Sequence, residues 1–138
     1  MEWKIRLRKL LGKKRHTAHV VLVDQDRFLL VQEAVGGIRE LWGLPGGGVK
    51  RNETAEEAAI REVKEETGLD VELLKELAVM EDKRRGNVRH VFLGKVTGGK
   101  LRIDRAEHMD ARWMTIGDVK SIKNKLRGDW VIEAVSLT

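Results

Sequence analysis

Three glutamates, Glu62, Glu65 and Glu66, fall within five consecutive positions of the run Arg61-Glu62-Val63-Lys64-Glu65-Glu66. On a helix they stand at i, i+3 and i, i+4, the spacings that place side chains on one face. Like charges so placed cost about 0.2–0.5 kcal/mol per pair when exposed, and more when half buried. Such a cluster calls for compensating charge. All-oxygen donors select a hard divalent cation such as Mg²⁺, Mn²⁺ or Ca²⁺, and Mg²⁺ takes few carboxylates, keeping water and substrate phosphate as its other ligands. Glycines at 46, 47 and 48, just upstream, let the backbone approach a phosphate or lend a carbonyl to the metal. A second reading stays open on these residues alone: the acids pair with Lys or Arg from a neighbouring sheet.

The elements that would position these groups can be read from pattern. Residues 18–24 (AHVVLVD) and 27–33 (RFLLVQE) are apolar, β-branched runs about Gln25-Asp26, which predicts two strands and a tight turn. Residues 34–48 form the longest irregular stretch, with six glycines at 36, 37, 43, 46, 47 and 48, and such loops are usually functional. Thr54-Ala-Glu-Glu57 is a capping-box pattern that opens a helix over 55–67, stopped by Gly68. At about 100° per residue, Glu62 and Glu66 fall within about 20° of Ala55 and Glu65 about 80° away, on the side of Ala58, Ala59 and Val63. Glu57, Arg61 and Lys64 then fall on the solvent side. Strands are expected near 70–81 and 88–97, joined across Asp82–Asn87, with a short strand near 111–115 and a helix near 117–126. An apolar stretch at 130–137 closes the chain. Strands before and after one strong helix predict an α/β or α+β layered domain.

Composition narrows the function classes. The 138 residues fit a single domain, 1–138, large enough to bury a core. With no cysteine there is no disulfide, thiolate metal site or cysteine nucleophile. No apolar run approaches the length of a bilayer, and the N-terminus lacks a secretory apolar core, so a cytoplasmic protein without membrane contact is expected. The net charge of +5 is local: residues 1–16 hold seven of the 27 basic residues against one acid, Glu2. That segment alternates Trp3, Ile5 and Leu7 with Lys4, Arg6 and Arg8, which suits an edge strand with a basic face, or an arm that touches polyphosphate, RNA or an anionic surface. Nucleic acid is a possible partner but not the favoured one.

Gly47, five residues, Glu53, seven residues, then Arg61-Glu62-Val63-Lys64-Glu65-Glu66-Thr67-Gly68-Leu69 match G-x5-E-x7-R-E-U-x-E-E-x-G-U, with U apolar. The run resembles the complete Nudix box of the Nudix hydrolase family, with Leu44-Pro45-Gly46-Gly47 leading in and Ala111-Arg112-Trp113 following. The resemblance covers roughly residues 17–125. It implies the Nudix fold, a mixed β-sheet sandwiched between helices in α/β/α layers, and hydrolysis of a nucleoside diphosphate linked to another moiety. Mg²⁺ is the implied cofactor, with Mn²⁺ as a substitute. By the same resemblance Glu65 and Glu66 bind metal, and Glu62 binds metal or orients the attacking water. Arg61 pairs with Glu53, the carbonyl of Gly46 is a further metal ligand, and Glu107 is an additional ligand or base, with Asp110 its competitor. Many relatives dimerise, so a homodimer is a candidate assembly.

Substrate marks outside the box are mostly missing. There is no proline after Pro45, no tyrosine, and no S-Q-P-W run, features that resemble the ADP-ribose, one diadenosine-polyphosphate and the NADH subgroups respectively. The coenzyme A signature is also missing. Nucleoside triphosphates, oxidised ones included, remain as the expected substrate. Dinucleoside polyphosphates, ADP-ribose and RNA 5′ ends are the alternatives, and a non-catalytic nucleotide-sensing module is a further one. Trp42 suits either a stacked base or a loop anchor. His19 and His90 read as packed side chains, His16 and His108 carry no signal, and Lys83, Arg84 and Arg85 read as a solvated hairpin tip. Trp113 and Trp130 read as core.

Overall fold

The structure is a computed structural model that describes residues 14–138, so most of the basic segment read over 1–16 lies outside it. Strand β1 (His16–Asp24) turns into β2 (Arg27–Glu33) through Gln25 and Asp26. Both turn residues have positive φ, 48° and 64°, the conformation that a two-residue hairpin needs to match strand twist. The hairpin is paired only at its tip, Val23 with Phe28 and Asp24 with Arg27. Beyond it the strands splay. β1 takes β4 (Gly46–Gly48) on one side and, in parallel, β6 (Asn87–Gly99) on the other. β2 takes β3 (Trp42–Gly43) and β7 (His108–Thr115), both antiparallel. β5 (Leu69–Asp82) completes the sheet as the antiparallel neighbour of β6.

Helix α1 (Ala55–Thr67) begins and ends where the pattern predicts. The Thr54 hydroxyl accepts from the Glu57 N–H, the Glu57 carboxylate accepts from the Thr54 N–H, and Gly68 closes the helix at φ 75°. The expected helix near 117–126 is shorter: α2 (Ile116–Ser121) gives way to a 3-10 turn at Lys123–Lys125. The apolar C-terminal stretch is α3 (Trp130–Ser136).

Alternation along β1 and β2 explains the layers. Ala18, Val20, Leu22 and Leu29 point to one side, where Ala58, Ala59 and Val63 of α1 cover them. Val21, Phe28 and Leu30 point to the other, beneath Val119 of α2 and Val131, Ala134 and Val135 of α3. The mixed sheet thus lies between helices, the α/β/α order expected. Trp113 and Trp130 are half-buried against these two cores, Trp42 is buried within the second, and Lys83–Arg85 are exposed at the β5–β6 turn. Among the described residues no helix is long and apolar enough to cross a membrane.

His19 is buried on β1, with Nδ1 3.4 Å from the Leu44 carbonyl and its ring 4.9 Å from Trp130. Burial, with Arg127 and Arg89 adding to it, lowers its pKa from 6.5 to about 3. The unfolded chain therefore binds a proton that the folded chain does not between those values. This stability is complete above about 6.5 and is lost as pH falls toward 3. Denaturant midpoints measured across that window should fall with pH in the parent and fall less in His19→Asn; parallel curves would contradict the assignment.

Candidate active site

α1 runs beside the glycine strand β4 because nothing larger than hydrogen fits between them at one point. A Cβ on Gly47 would stand 2.6 Å from the carboxylate carbon of Glu62. Gly46, at φ 155°, would place one 2.2 Å from the Ala18 carbonyl oxygen. Acidic side chains of the helix thereby meet bare backbone.

The three glutamates differ in environment. Glu66 is 5% exposed, while the side chains of Glu62 and Glu65 are 18% and 56% exposed. The shared small-residue face expected for all three therefore holds for Glu66 and Glu62, and Glu65 lies at its solvent rim. Glu66 Oε1 accepts from the Gly46 N–H at 3.2 Å, and Oε2 lies 3.2 Å from His108 Nε2. Burial first, and then the charge of Glu62, push the Glu66 pKa up to about 9.

Arg61 is not on a free solvent face: its side chain is 21% exposed and all of its fork is engaged. Nε and Nη2 donate to the two oxygens of Glu53 at 2.7 and 2.8 Å. Nη2 also donates to the Gly48 carbonyl at 3.0 Å, and Nη1 donates to Glu62 at 2.9 Å and Glu65 at 3.2 Å. The bidentate pair holds Glu53 down at about 2 and raises Arg61 further above its ordinary range. The seven residues between Glu53 and Arg61 place them on a loop and one helix turn that close upon each other. Their ion pair fixes the loop against α1.

Glu107 is exposed on the loop before β7, where its N–H donates to Asp104 and its carbonyl accepts from Ala34. Among the described residues its carboxylate has no hydrogen bond or ion pair. Asp110 pairs with Arg112 at 2.8 Å. It is the next residue, His108, buried at the start of β7, that reaches the acids.

His108 introduces residues that spacing did not single out. Its Nε2 stands 3.5 Å from Glu33 Oε2, and Glu33 Oε1 stands 3.3 Å from Arg127 Nη1. A chain Arg127–Glu33–His108–Glu66 thus runs from the loop before α3 to the buried carboxylate. Arg127 reaches in across Gly43, whose Cβ would meet its Cδ at 2.7 Å, and its N–H donates to the Trp42 carbonyl. The irregular register at Gln32/Glu33 sets Glu33 opposite His108.

The donors fit a hard divalent cation in type: Glu62 and Glu66 are close enough for the charge of Glu62 to raise Glu66, and Arg61 offsets only Glu62 of the two. The carboxylates are not yet gathered: among the described residues no three acidic or imidazole groups form a ready cation site. Glu62 and Glu65 lean to Arg61, and Glu66 leans to Gly46 and His108.

Fold and site together point to one family of domains. A sequence model of the NUDIX domain matches residues 13–134, and the chain belongs to the Nudix hydrolase family. It is 44% identical over 97 residues to the human protein named 8-oxo-dGDP phosphatase NUDT18, covering 68% of this chain and 30% of that one. It is 34% identical over 100 residues to a Sphingopyxis alaskensis protein named RNA pyrophosphohydrolase, covering 72% of this chain and 63% of that one. The chain thus spans less than two thirds of either relative. Among solved structures, a MutT NUDIX hydrolase from Burkholderia pseudomallei aligns with a TM-score of 0.71 at 29% identity, over 78% of this chain and 87% of that one.

Proposed function

We propose that this protein hydrolyses a phosphoric anhydride within a nucleoside diphosphate derivative, with a nucleoside triphosphate, oxidised or not, as substrate. The observation that carries this reading is the packing of the Glu62 and Glu66 carboxylates against the backbone of Gly47 and Gly46, which brings acids and a main-chain carbonyl to one place.

Glu62, Glu65, Glu66 and the Gly46 carbonyl would hold Mg²⁺ or Mn²⁺. When bound, the ion offsets the acids' charge, polarises phosphate oxygens and lowers the pKa of water. Arg61 keeps Glu62 and Glu65 on one side of the helix while Glu53 keeps Arg61 in place. Glu62, half-buried and facing Gly47, takes the proton of the attacking water. The water oxygen bonds to phosphorus as the bridging P–O bond breaks, and the leaving phosphate departs with that bond's electrons. Glu107, exposed and without an ion pair among the described residues, is the weaker candidate for base.

A turnover panel tests this. It holds standard and oxidised nucleoside triphosphates, ADP-ribose, dinucleoside polyphosphates and 5′-triphosphorylated RNA, with and without Mg²⁺. Metal-dependent cleavage of the triphosphates, abolished in Glu65→Gln with the fold intact, is the expected result. Turnover of Glu65→Gln at the parent rate would remove Glu65 from the site. Tight nucleotide binding without cleavage across the panel would make the chain a sensor instead.

A further inference from the structure

Successive residues of a strand face opposite sides, and β4 obeys this at its two last glycines. A Cβ on Gly47 would meet Glu62, whereas one on Gly48 would stand 3.2 Å from Nη2 of Arg15. On the Arg15 side lies a cavity of about 600 Å³, separated from the acid cluster by the glycine strand and the Glu53–Arg61 pair. Its walls carry Lys14, Arg15, Lys50 and Arg51, together with His16 and His90. The two imidazoles stack with centroids 5.2 Å apart and Nδ1 of His16 2.9 Å from Nε2 of His90.

Charge is unbalanced in this space. Glu53 is the one carboxylate lining it, and both of its oxygens are taken by Arg61. Lys14 is paired with Glu81 at 2.5 Å. Arg15, Lys50 and Arg51 are exposed and have no carboxylate within ion-pair distance among the described residues. Lys50 lies in the field of Glu53, but Arg15 and Arg51 add charge to the same concavity without an acid of their own, and an anion bound among these cations relieves their mutual repulsion. Their spread around a space of this size suits several linked phosphates better than one. The sequence leading to Lys14 adds Lys4, Arg6, Arg8, Lys9 and Lys13 to the same end of the chain.

We infer that the cavity formed by Arg15, Lys50, Arg51 and the His16–His90 pair is a second anion site, distinct from the carboxylate cluster, that binds a chain of linked phosphates. Such a chain comes either as a free oligophosphate or as the 5′-phosphorylated end of a nucleic acid. Binding here needs no divalent cation and no turnover, so it stands or falls separately from the hydrolase reading.

The test is calorimetric titration of the full chain with inorganic tripolyphosphate in EDTA. Arg15→Ala/Arg51→Ala should bind about 10-fold more weakly, as expected for two part-exposed ion pairs. Lys83→Ala/Arg84→Ala, which removes equal charge at the β5–β6 turn, should bind as the parent does. All four residues are exposed, and unfolding midpoints check that both variants fold; Arg51→Gln alone gives a smaller loss in the same direction. Short RNAs bearing a 5′-triphosphate or a 5′-hydroxyl identify the source. A preference for the triphosphate that the cavity variant loses marks a nucleic-acid 5′ end; tripolyphosphate binding with neither RNA bound marks free oligophosphate. Equal binding of both RNAs, which needs no linked phosphates, overturns the proposal. Failure of the parent to bind tripolyphosphate, or equal weakening in both double variants, overturns the site.

Discussion

Glu66→Gln is expected to lower turnover by about 10³-fold, within the span that removal of a group acting on the reacting centre usually produces, while leaving the fold intact. Glutamine has the same shape and keeps a carbonyl oxygen to accept from the Gly46 N–H. Burial and the charge of Glu62 raise the carboxyl pKa to about 9, so in the metal-free protein at neutral pH glutamine replaces one neutral side chain with another. The metal-free variant should therefore unfold no earlier than the parent. The difference should emerge on adding Mg²⁺. A ligand that binds only the folded state raises its stability by mass action, so the parent's unfolding temperature should climb with Mg²⁺ and the variant's should climb far less. A variant that gains as much as the parent would place the cation elsewhere.

Gly47→Ala makes the complementary case, in which the acids stay and their position is disturbed. The new methyl carbon would stand 2.6 Å from the Glu62 carboxylate carbon and 2.7 Å from each of its oxygens. Those atoms end a flexible side chain, so the backbone need not move and stability should change little. The carboxylate must swing away, however, and displacement of a reacting group by about 1 Å can cost 10²-fold in rate. A loss of about 10²-fold in kcat, with an unfolding midpoint near the parent's, is expected. Equal loss of midpoint and activity would mean that the glycine serves the fold alone. Full activity would mean that the position of Glu62 does not matter to the reaction.

The elements of this protein are readable in its sequence because local signals agree. Thr54 and Glu57 cap each other, Gly68 adopts the left-handed turn, and the β1 and β2 runs alternate toward two cores. The Arg61–Glu53 pair was legible only through the resemblance of the box, since the helical wheel alone put Arg61 toward solvent. Exposure was harder to read than periodicity: Glu65 lies on the rim, and Arg61 is drawn in by four acceptor groups that a helical wheel cannot show. Glu33, His108 and Arg127 were unreadable for a different reason. They come from the end of β2, the start of β7 and the loop before α3, and only the β2–β7 register with its irregularity at Gln32/Glu33 brings them to Glu66. No pattern within any one segment marks them.

The parallel pairing of β1 with β6 has a consequence for how the chain is made. Its register joins His16 to Val88 and Leu22 to Gly94, partners separated by most of the polypeptide. Contacts so distant in sequence slow folding, because a long loop must close before they repay it. On a ribosome adding about 5–20 residues per second, β1 emerges seconds before the strand that completes it. During that interval its backbone is paired, among the described residues, only with the three residues of β4 and the hairpin tip of β2, and the edge that β6 will take stays open. Nascent chains of this protein should be most prone to mispairing, and most in need of a chaperone, from the synthesis of β1 until β6 has emerged.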